Sequence, residues 1–322
     1  MFTLLLLLLL SGCHREHSPH ELKVASILPP DHPTSHALRF FQETLEERSE
    51  GAIKIRLFSG SQLGNANDSI ELARGGNIEV VQCSAVHLSP FRPLFNALGL
   101  PFLFRNREHR LNALDGDLAD PLRETLAEMD LILLAVLDAG SRNLMTKTGP
   151  ITEPNELSGL KIRVMPSQTM VDSINALGAT AVAMNQGDVY TALQTGVLDG
   201  WENNPPTTLN FRMYETGCTH FAWSRHLAVP DFLLMSQSAY LKLPEHLRAV
   251  VMEVADETQR LQRDLWIAAE TDAIESLQIQ GMEFNDVNQQ AFASQVEELY
   301  RQTYEQFGPD FAAYAEALKA HP

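Results

Sequence analysis

The stretch from Gly159 to Pro206 constrains the fold more than any other part of this chain. Leu160, Ile162 and Val164 alternate with Lys161 and Arg163, the period of a half-buried strand. A helix follows, then a small apolar strand, Thr180 to Met184, entered through a turn at Gly178. Asp188, Val189, Ala192 and Leu193 have helical spacing, and Gly196 stops that helix. A third strand ends in Trp201-Glu202-Asn203-Asn204. Strands alternating with helices specify an α/β layer fold with a mainly parallel sheet. Ligands of such sheets sit at the carboxyl ends of the strands, where Arg163 and the Glu202-Asn203 pair fall.

The rest of the chain extends this pattern. Leu22 to Ile27, Ile53 to Leu57, Val80 to Ser84 and Leu131 to Leu137 read as strands. His36 to Glu47 has amphipathic helical spacing, and Ser69 to Ala73 lies in a helix that ends at Gly75-Gly76. Phe95 to Phe104 reads as a buried apolar loop, and Asn106 to Met129 as one or two helices. Asp138 to Ser141 marks a passage into a second lobe, and Val229 to Ser236 a strand returning to the first. From Pro244 to Gln280 there is no further Pro and no Gly, so one very long helix of roughly 50 Å is expected there. Helices over Val287 to Phe307 and Asp310 to Lys319 finish the chain.

Composition narrows the function classes. With 24 Lys and Arg against 41 Asp and Glu, the net charge is -17, which leaves no basic excess to neutralise a nucleic-acid backbone. An anionic small ligand would have to be held by a few local arginines. Leu4 to Leu10 is an unbroken apolar run, too short to span a bilayer, which takes roughly 20 residues. Leu10-Ser11-Gly12-Cys13 after it resembles a bacterial lipoprotein signal, with Cys13 as the lipidated residue, although Met1-Phe2-Thr3 lacks the basic residue with which a signal peptide opens. Residues 1–13 then form the signal peptide and 14–20 a polar linker. Cys83 and Cys218 read as two separate buried thiols.

Several spaced motifs carry a family resemblance. Ile27-Leu28-Pro29 with Asp31-His32-Pro33, Gly60-Ser61-Gln62-Leu63-Gly64, Leu100-Pro101-Phe102-Leu103-Phe104, Gly140-Ser141-Arg142-Asn143-Leu144, Pro154 to Val164 and Asp199 to Pro205 occur in order from about Glu21 onwards. Together they resemble the solute-binding proteins of tripartite ATP-independent periplasmic (TRAP) transporters. The resemblance implies a two-lobe periplasmic-binding-protein-like fold, each lobe a mixed sheet flanked by helices, with the long helix spanning both. It implies a first lobe of residues 21–139 plus 229–268 and a second of 140–228 plus 269–322. The lobes would close over an organic acid and pass it to membrane permease subunits, with no cofactor, no covalent step and no nucleic acid. The protein would act as a monomer whose only tie to the membrane is the lipid on Cys13.

The resemblance also implies site residues. Arg163 matches the arginine that pairs with the ligand carboxylate, a planar fork offering two charge-assisted hydrogen bonds. Asn203 matches an amide that donates to the same carboxylate, and Arg142 a second arginine that reaches the ligand or closes the lobes; by pattern alone these are a solvated strand residue, a turn former and a structural ion pair. From the first lobe His32, Asn67, Asp68 and Ser84 are expected at the ligand's hydroxyls, with Ala66 and Ser84 standing where many relatives carry a carboxylate. Gln186 stands where some relatives place an aromatic, and an amide there suits a polyhydroxylated ligand. Glu202 completes the set. Trp201 and Trp223 could stack on a sugar but read more readily as core.

Metal and catalytic signals are weak. His14, His17 and His20 lie in the linker, and Pro33 interrupts the helix that would align His32 with His36. No phosphate loop, nucleophile elbow or HExxH motif is present. The Trp-Glu-Asn-Asn form of the motif, with Gln186 and His32, most resembles family members that bind a hexuronate or related sugar acid. C4-dicarboxylates and sialic acid compete with it, and so does a role reporting to a sensor kinase. An enzyme acting on sugar acids, a lyase or hydrolase, is the reading from another class; it would need a paired acid and base.

Overall fold

The computed structural model describes residues 18–322. The signal segment and Cys13 lie outside the described residues. In chain order the elements are β1 (His20–Ser26), α1 (Pro33–Arg48), β2 (Ile53–Phe58), α2 (Ala66–Arg74), β3 (Val80–Ser84), α3 (Arg107–Asp115), α4 (Asp120–Ala127) and β4 (Leu131–Leu137). Then come β5 (Arg142–Thr146), β6 (Lys161–Val164), α5 (Gln168–Ala176), β7 (Thr180–Ala183), α6 (Gln186–Gln194), β8 (Gly200–Asn203), α7 (Pro205–Asn210) and β9 (His220–Leu227). The chain ends with β10 (Asp231–Ser236), α8 (Gln237–Lys242), α9 (Glu245–Ile279), β11 (Glu283–Asp286), α10 (Gln289–Gln295), α11 (Glu297–Phe307) and α12 (Pro309–Ala320).

Two mixed sheets result, ordered β2-β1-β3-β10-β4 and β11-β9-β5-β8-β6-β7. In the first, β1 pairs in parallel with β2 and β3, and β10 inserts antiparallel between β3 and β4. In the second, β6 is parallel to β7 and β8, while β5 runs antiparallel to β8 and β9. The parallel character expected from residues 159–206 therefore holds for that run. The antiparallel partners come from strands remote in sequence.

The chain passes between the sheets three times: after β4, after β9 and through α9. The first passage needs a glycine. Gly140 has φ +62°, and a Cβ there would meet Glu270 Oε1 and Trp266 Nε1, both at 3.0 Å. Helix α9 has 35 residues, about 52 Å at 1.5 Å per residue. It packs on α1 and β4 of the first lobe and on α7 of the second. Leu247, Val251, Val254 and Ala255 bury its first half, then Thr258, Gln262 and Trp266. Gln262 clamps the passage: its Oε1 accepts from Asp138 N at 2.8 Å, and its Nε2 donates to Asp138 O at 2.8 Å and Thr34 Oγ1 at 3.2 Å.

Some elements differ from the sequence reading. β1 begins at His20, whose strand register opposite Ile53 takes it out of the expected linker. α1 starts at Pro33 rather than His36, because a proline at the first helical position lacks only a donor that is unpaired there anyway. The strands β5, β9 and β11 were not anticipated, and the helix expected over 287–307 breaks at Val296. α12 packs on the 3-10 turns Pro93–Gly99 and Asp117–Ala119, with Tyr314 Oη donating to Leu118 O at 2.8 Å. Cys83 and Cys218 are separate buried thiols. Burial pushes both up, Cys218 to about 12.

Candidate functional site

Between the lobes, where the strands β1, β3, β6 and β8 end, lies a narrow cleft, open at its mouth, with about 50 Å3 of free interior volume. From one side it is lined by His32, Gln82, Ser84, His87 and Asp231, and from the other by Arg142, Arg163, Gln186, Asn203 and Thr207. Ile27, Leu28, Met165, Phe211 and Trp266 supply apolar wall. This mix of apolar surface with a few convergent polar groups is that of a small-molecule site.

Arg163 is placed by the alternation of β6. Ile162 and Val164 enter the core, and Arg163 stands on the other face near the strand end. It is only 1% exposed. Its Nε donates to Met184 O at 2.8 Å and its Nη1 to Gln186 Oε1 at 3.2 Å, which fixes the guanidinium plane. No carboxylate forms an ion pair with it among the described residues. Burial draws the group down to about 9, with Arg142 adding to the effect and Glu202 opposing it, so it stays charged at neutral pH. A desolvated cation without a counter-charge is costly, and an incoming carboxylate relieves that cost.

Arg142 is used differently. In the register of β5 against β8, Leu144 stands opposite Glu202 and Asn143 opposite Asn203. The Arg142 guanidinium forks onto the fully buried Glu202 carboxylate through Nε and Nη2, and Nη2 also donates to Glu202 O at 2.8 Å. His226 Nε2 faces the same carboxylate at 3.8 Å. Glu202 thus lies under Arg142 and outside the cleft lining. Arg142 Nη1 donates to Asn203 Oδ1 at 3.3 Å, and that oxygen also accepts from Asn204 N at 2.9 Å. With its oxygen occupied twice, Asn203 has its amide NH2 left to offer, on a side chain that lines the cleft.

The first-lobe wall is a hydrogen-bonded relay. Ser26 Oγ donates to Gln82 Oε1 at 2.7 Å, and Gln82 Nε2 donates to Asp231 Oδ2 at 2.8 Å. Asp231 stands opposite Ser84 in the β3–β10 register. Burial pushes its carboxyl up to about 7, although Arg142 and Ser84 pull the other way. His32 caps α1: its Nδ1 accepts from Thr34 N at 3.2 Å, so its Nε2 carries the proton and faces Thr207 Oγ1 of the second lobe at 3.3 Å. Burial lowers His32 and His87 to about 3 each, and both are neutral. Several buried polar atoms on the cleft have no protein partner: His87 Nδ1, Gln186 Nε2 and Trp266 Nε1. A ligand or water in the cleft can complete the bonding of these three.

The structure therefore brings Arg163, Asn203, Arg142, His32, Ser84 and Gln186 to one cleft. It does not bring Asn67 and Asp68. The Asp68 carboxylate accepts from Asn65 N at 3.2 Å while Asn65 Oδ1 accepts from Asp68 N at 3.1 Å, a capping box that spends both side chains on the start of α2. Asn67, on the same turn, is also absent from the lining. Trp201 is fully buried in the second-lobe core, and Trp223 packs with Phe221 and Phe284 away from the cleft. Gln82, His87, Asp231, Thr207 and Trp266 are among the lining residues that sequence reasoning missed, with Met165 and Phe211 of the apolar wall. Asp231 carried one signal, as the polar first residue of a strand whose next four residues are apolar. Among the described residues no group of three or more His, Cys, Asp or Glu gathers as metal ligands.

Comparison with known proteins agrees with this geometry. The model of the bacterial extracellular solute-binding protein family 7 matches residues 24–306. A solute-binding protein of Chromohalobacter salexigens is 30% identical over 86% of this chain and 82% of its own length. A solved TRAP periplasmic solute binding protein from the same organism, with bound D-glucuronate, superposes with a TM-score of 0.91 at 28% identity over 94% of this chain and all of that one. One from Sulfitobacter sp. NAS-14.1, with bound β-D-galacturonate, gives 0.90 at 28% identity over 93% of this chain and 99% of that one.

Proposed function

The chain belongs to the bacterial extracellular solute-binding protein family 7, the solute-binding proteins of TRAP transporters, and from that premise we propose that its cargo is a hexuronate held by Arg163 and Asn203. Members of this family are periplasmic binding proteins that work with membrane permease subunits, not enzymes. The observation that carries the ligand reading is the buried Arg163 guanidinium, paired with no carboxylate among the described residues and held in plane beside the Asn203 amide. Arg163 receives the carboxylate through its fork, and Asn203 donates a further bond to the same group. Arg142, already neutralised by Glu202, holds Asn203 in orientation. His32, Ser84, Gln186, Gln82 and Asp231 read the ring hydroxyls.

The first-lobe wall favours a monocarboxylate over a C4-dicarboxylate. Its polar groups are neutral histidines, a glutamine, a serine and an acid. A second carboxylate would meet no cation there and would approach Asp231. The uronates bound in the two solved relatives support the same choice. The first lobe in this reading comprises residues 21–139 and 229–268 and the second 140–228 and 269–322. The lobes close on the ligand about the three passages. The protein works as a monomer, anchored through a lipid on Cys13.

The experiment is a calorimetric titration of the chain lacking residues 1–13 with D-glucuronate, D-galacturonate, succinate and sialic acid. Uronate binding that is lost in Arg163→Ala is expected. Succinate binding with no uronate binding would replace the proposal with the dicarboxylate reading, and sialic acid alone would replace it with that ligand.

A further inference from the structure

We propose that the protein has a second anion site, behind the hinge, that takes a small ligand bearing two or more negatively charged oxygens. The passage after β4 separates two cavities. Ala139 and Arg142 line the cleft, whereas Gly140 and Ser141 between them line a second space of about 1070 Å3 counted out to its mouth. Its walls come from both lobes: Arg105, Arg107 and Arg110 on one side, Trp223 and Arg225 on the other, with Glu270 of α9 between.

The charges there do not balance. Arg110 and Arg107 both pair with the buried Asp138, and Arg107 also reaches Glu270 Oε2 at 2.6 Å. Two carboxylates thus answer two arginines. Arg105 and Arg225 are left over. Arg105 donates to the backbone oxygen of His321 at 2.7 Å, and the Arg225 guanidinium lies 5.3 Å from the centre of the Trp223 ring. Neither has a carboxylate partner among the described residues. In a chain with net charge -17, a concave surface with two surplus guanidinium groups is a local inversion of sign.

Structural cross-linking accounts for Arg107 and Arg110 but not for this surplus. Arg225 is also held in the left-handed region, φ +43°, with its N–H donating to Asn143 Oδ1 at 3.0 Å. Guanidinium forks pair with carboxylate and phosphate oxygens in the plane, and the Trp223 face adds an apolar wall. Space and charge together suit a polycarboxylate or an oxyanion.

Calorimetry of the chain lacking residues 1–13 with citrate and with inorganic phosphate tests this, using wild type, Arg163→Ala and the double variant Arg105→Gln/Arg225→Gln. Arg105 and Arg225 are exposed, so the double variant should keep the wild-type melting temperature. Expected is binding of at least one anion that persists in Arg163→Ala and weakens about tenfold or more in the double variant, the loss of two charge-assisted contacts. Absence of binding, loss of binding in Arg163→Ala, or undiminished binding in the double variant each overturns the proposal. Uronate titrations of the same three proteins report on the cleft alone, so failure of one site is distinguished from failure of the other.

Discussion

Arg163 and Arg142 are both arginines near strand ends, yet the structure gives them opposite electrostatic states. Arg142 has a buried counter-ion, and among the described residues Arg163 has none. Replacing Arg163 by Lys keeps the charge but loses the plane that Met184 O and Gln186 hold. Arg163→Lys should weaken uronate binding by about 2–4 kcal/mol, from charge-assisted bonds of about 1.5–3 kcal/mol each plus misfit. A calorimetric titration reads this, and unchanged affinity would remove Arg163 from the site. Asp231 makes a second prediction at this scale. Its folded carboxyl titrates near 7, above the ordinary value of 3.8, so between about pH 4 and 7 the folded state binds a proton that the unfolded state has released. Its contribution to stability is full below about pH 4 and is lost as pH rises through 7. The buried His32, His87 and His226, each lowered to about 3, act in the opposite sense, losing stability as pH falls below their ordinary range. The difference between wild type and Asp231→Asn isolates the carboxyl. Denaturant unfolding should show the wild type losing stability relative to the variant by roughly 1.4 kcal/mol per pH unit across that window. Parallel pH curves would show that Asp231 titrates normally.

At the scale of elements, the site depends on how β8 lies between β5 and β6. Gly200 opens β8, and a Cβ there would collide with the Met145 carbonyl oxygen of β5 and meet Ile162 Cδ1 of β6 at 2.8 Å. The strand spacing that carries Arg142, Arg163 and Asn203 to one edge therefore requires a residue without a side chain at this position. Gly200→Ala should destabilise the fold by about 1–3 kcal/mol through overpacking, seen as a lower denaturant midpoint. Uronate affinity should fall with it, because the displaced strand carries Asn203 away from Arg163. A stable variant with intact binding would show that β8 can shift without cost.

On the scale of the whole molecule, α9 runs along one edge, fixed to the end of β4 by the Asp138–Gln262 clamp and packed on α7 further on, while the cleft opposes polar groups across the other edge. His32 Nε2 faces Thr207 Oγ1 across the cleft at 3.3 Å. A ligand that bridges both walls shifts the population toward the closed arrangement by its differential affinity for the two states. Small-angle scattering should show a smaller radius of gyration when glucuronate is added to the wild type and no change with Arg163→Ala. Equal radii with and without bound uronate would mean that the lobes do not move.

Strand and helix periods, the proline in α1's first turn and the long run free of Pro and Gly in α9 are local properties, and they determined the α/β class and most elements from sequence. The ordered motifs determined the family, and with it Arg163 and Asn203 as candidates. Pairing register is not local. It set Asp231 opposite Ser84, put Glu202 under Arg142 and turned a polar strand-end pair into one buried ion pair and one free amide. The capping box that occupies Asp68 was written in the sequence as Asn65 to Asp68, but its competition with a ligand role was visible only once the helix was placed. The charge surplus behind the hinge joins residues some 120 positions apart. Tertiary structure decided these because burial and counter-charge depend on which strands become neighbours, and the chain makes that choice only by folding.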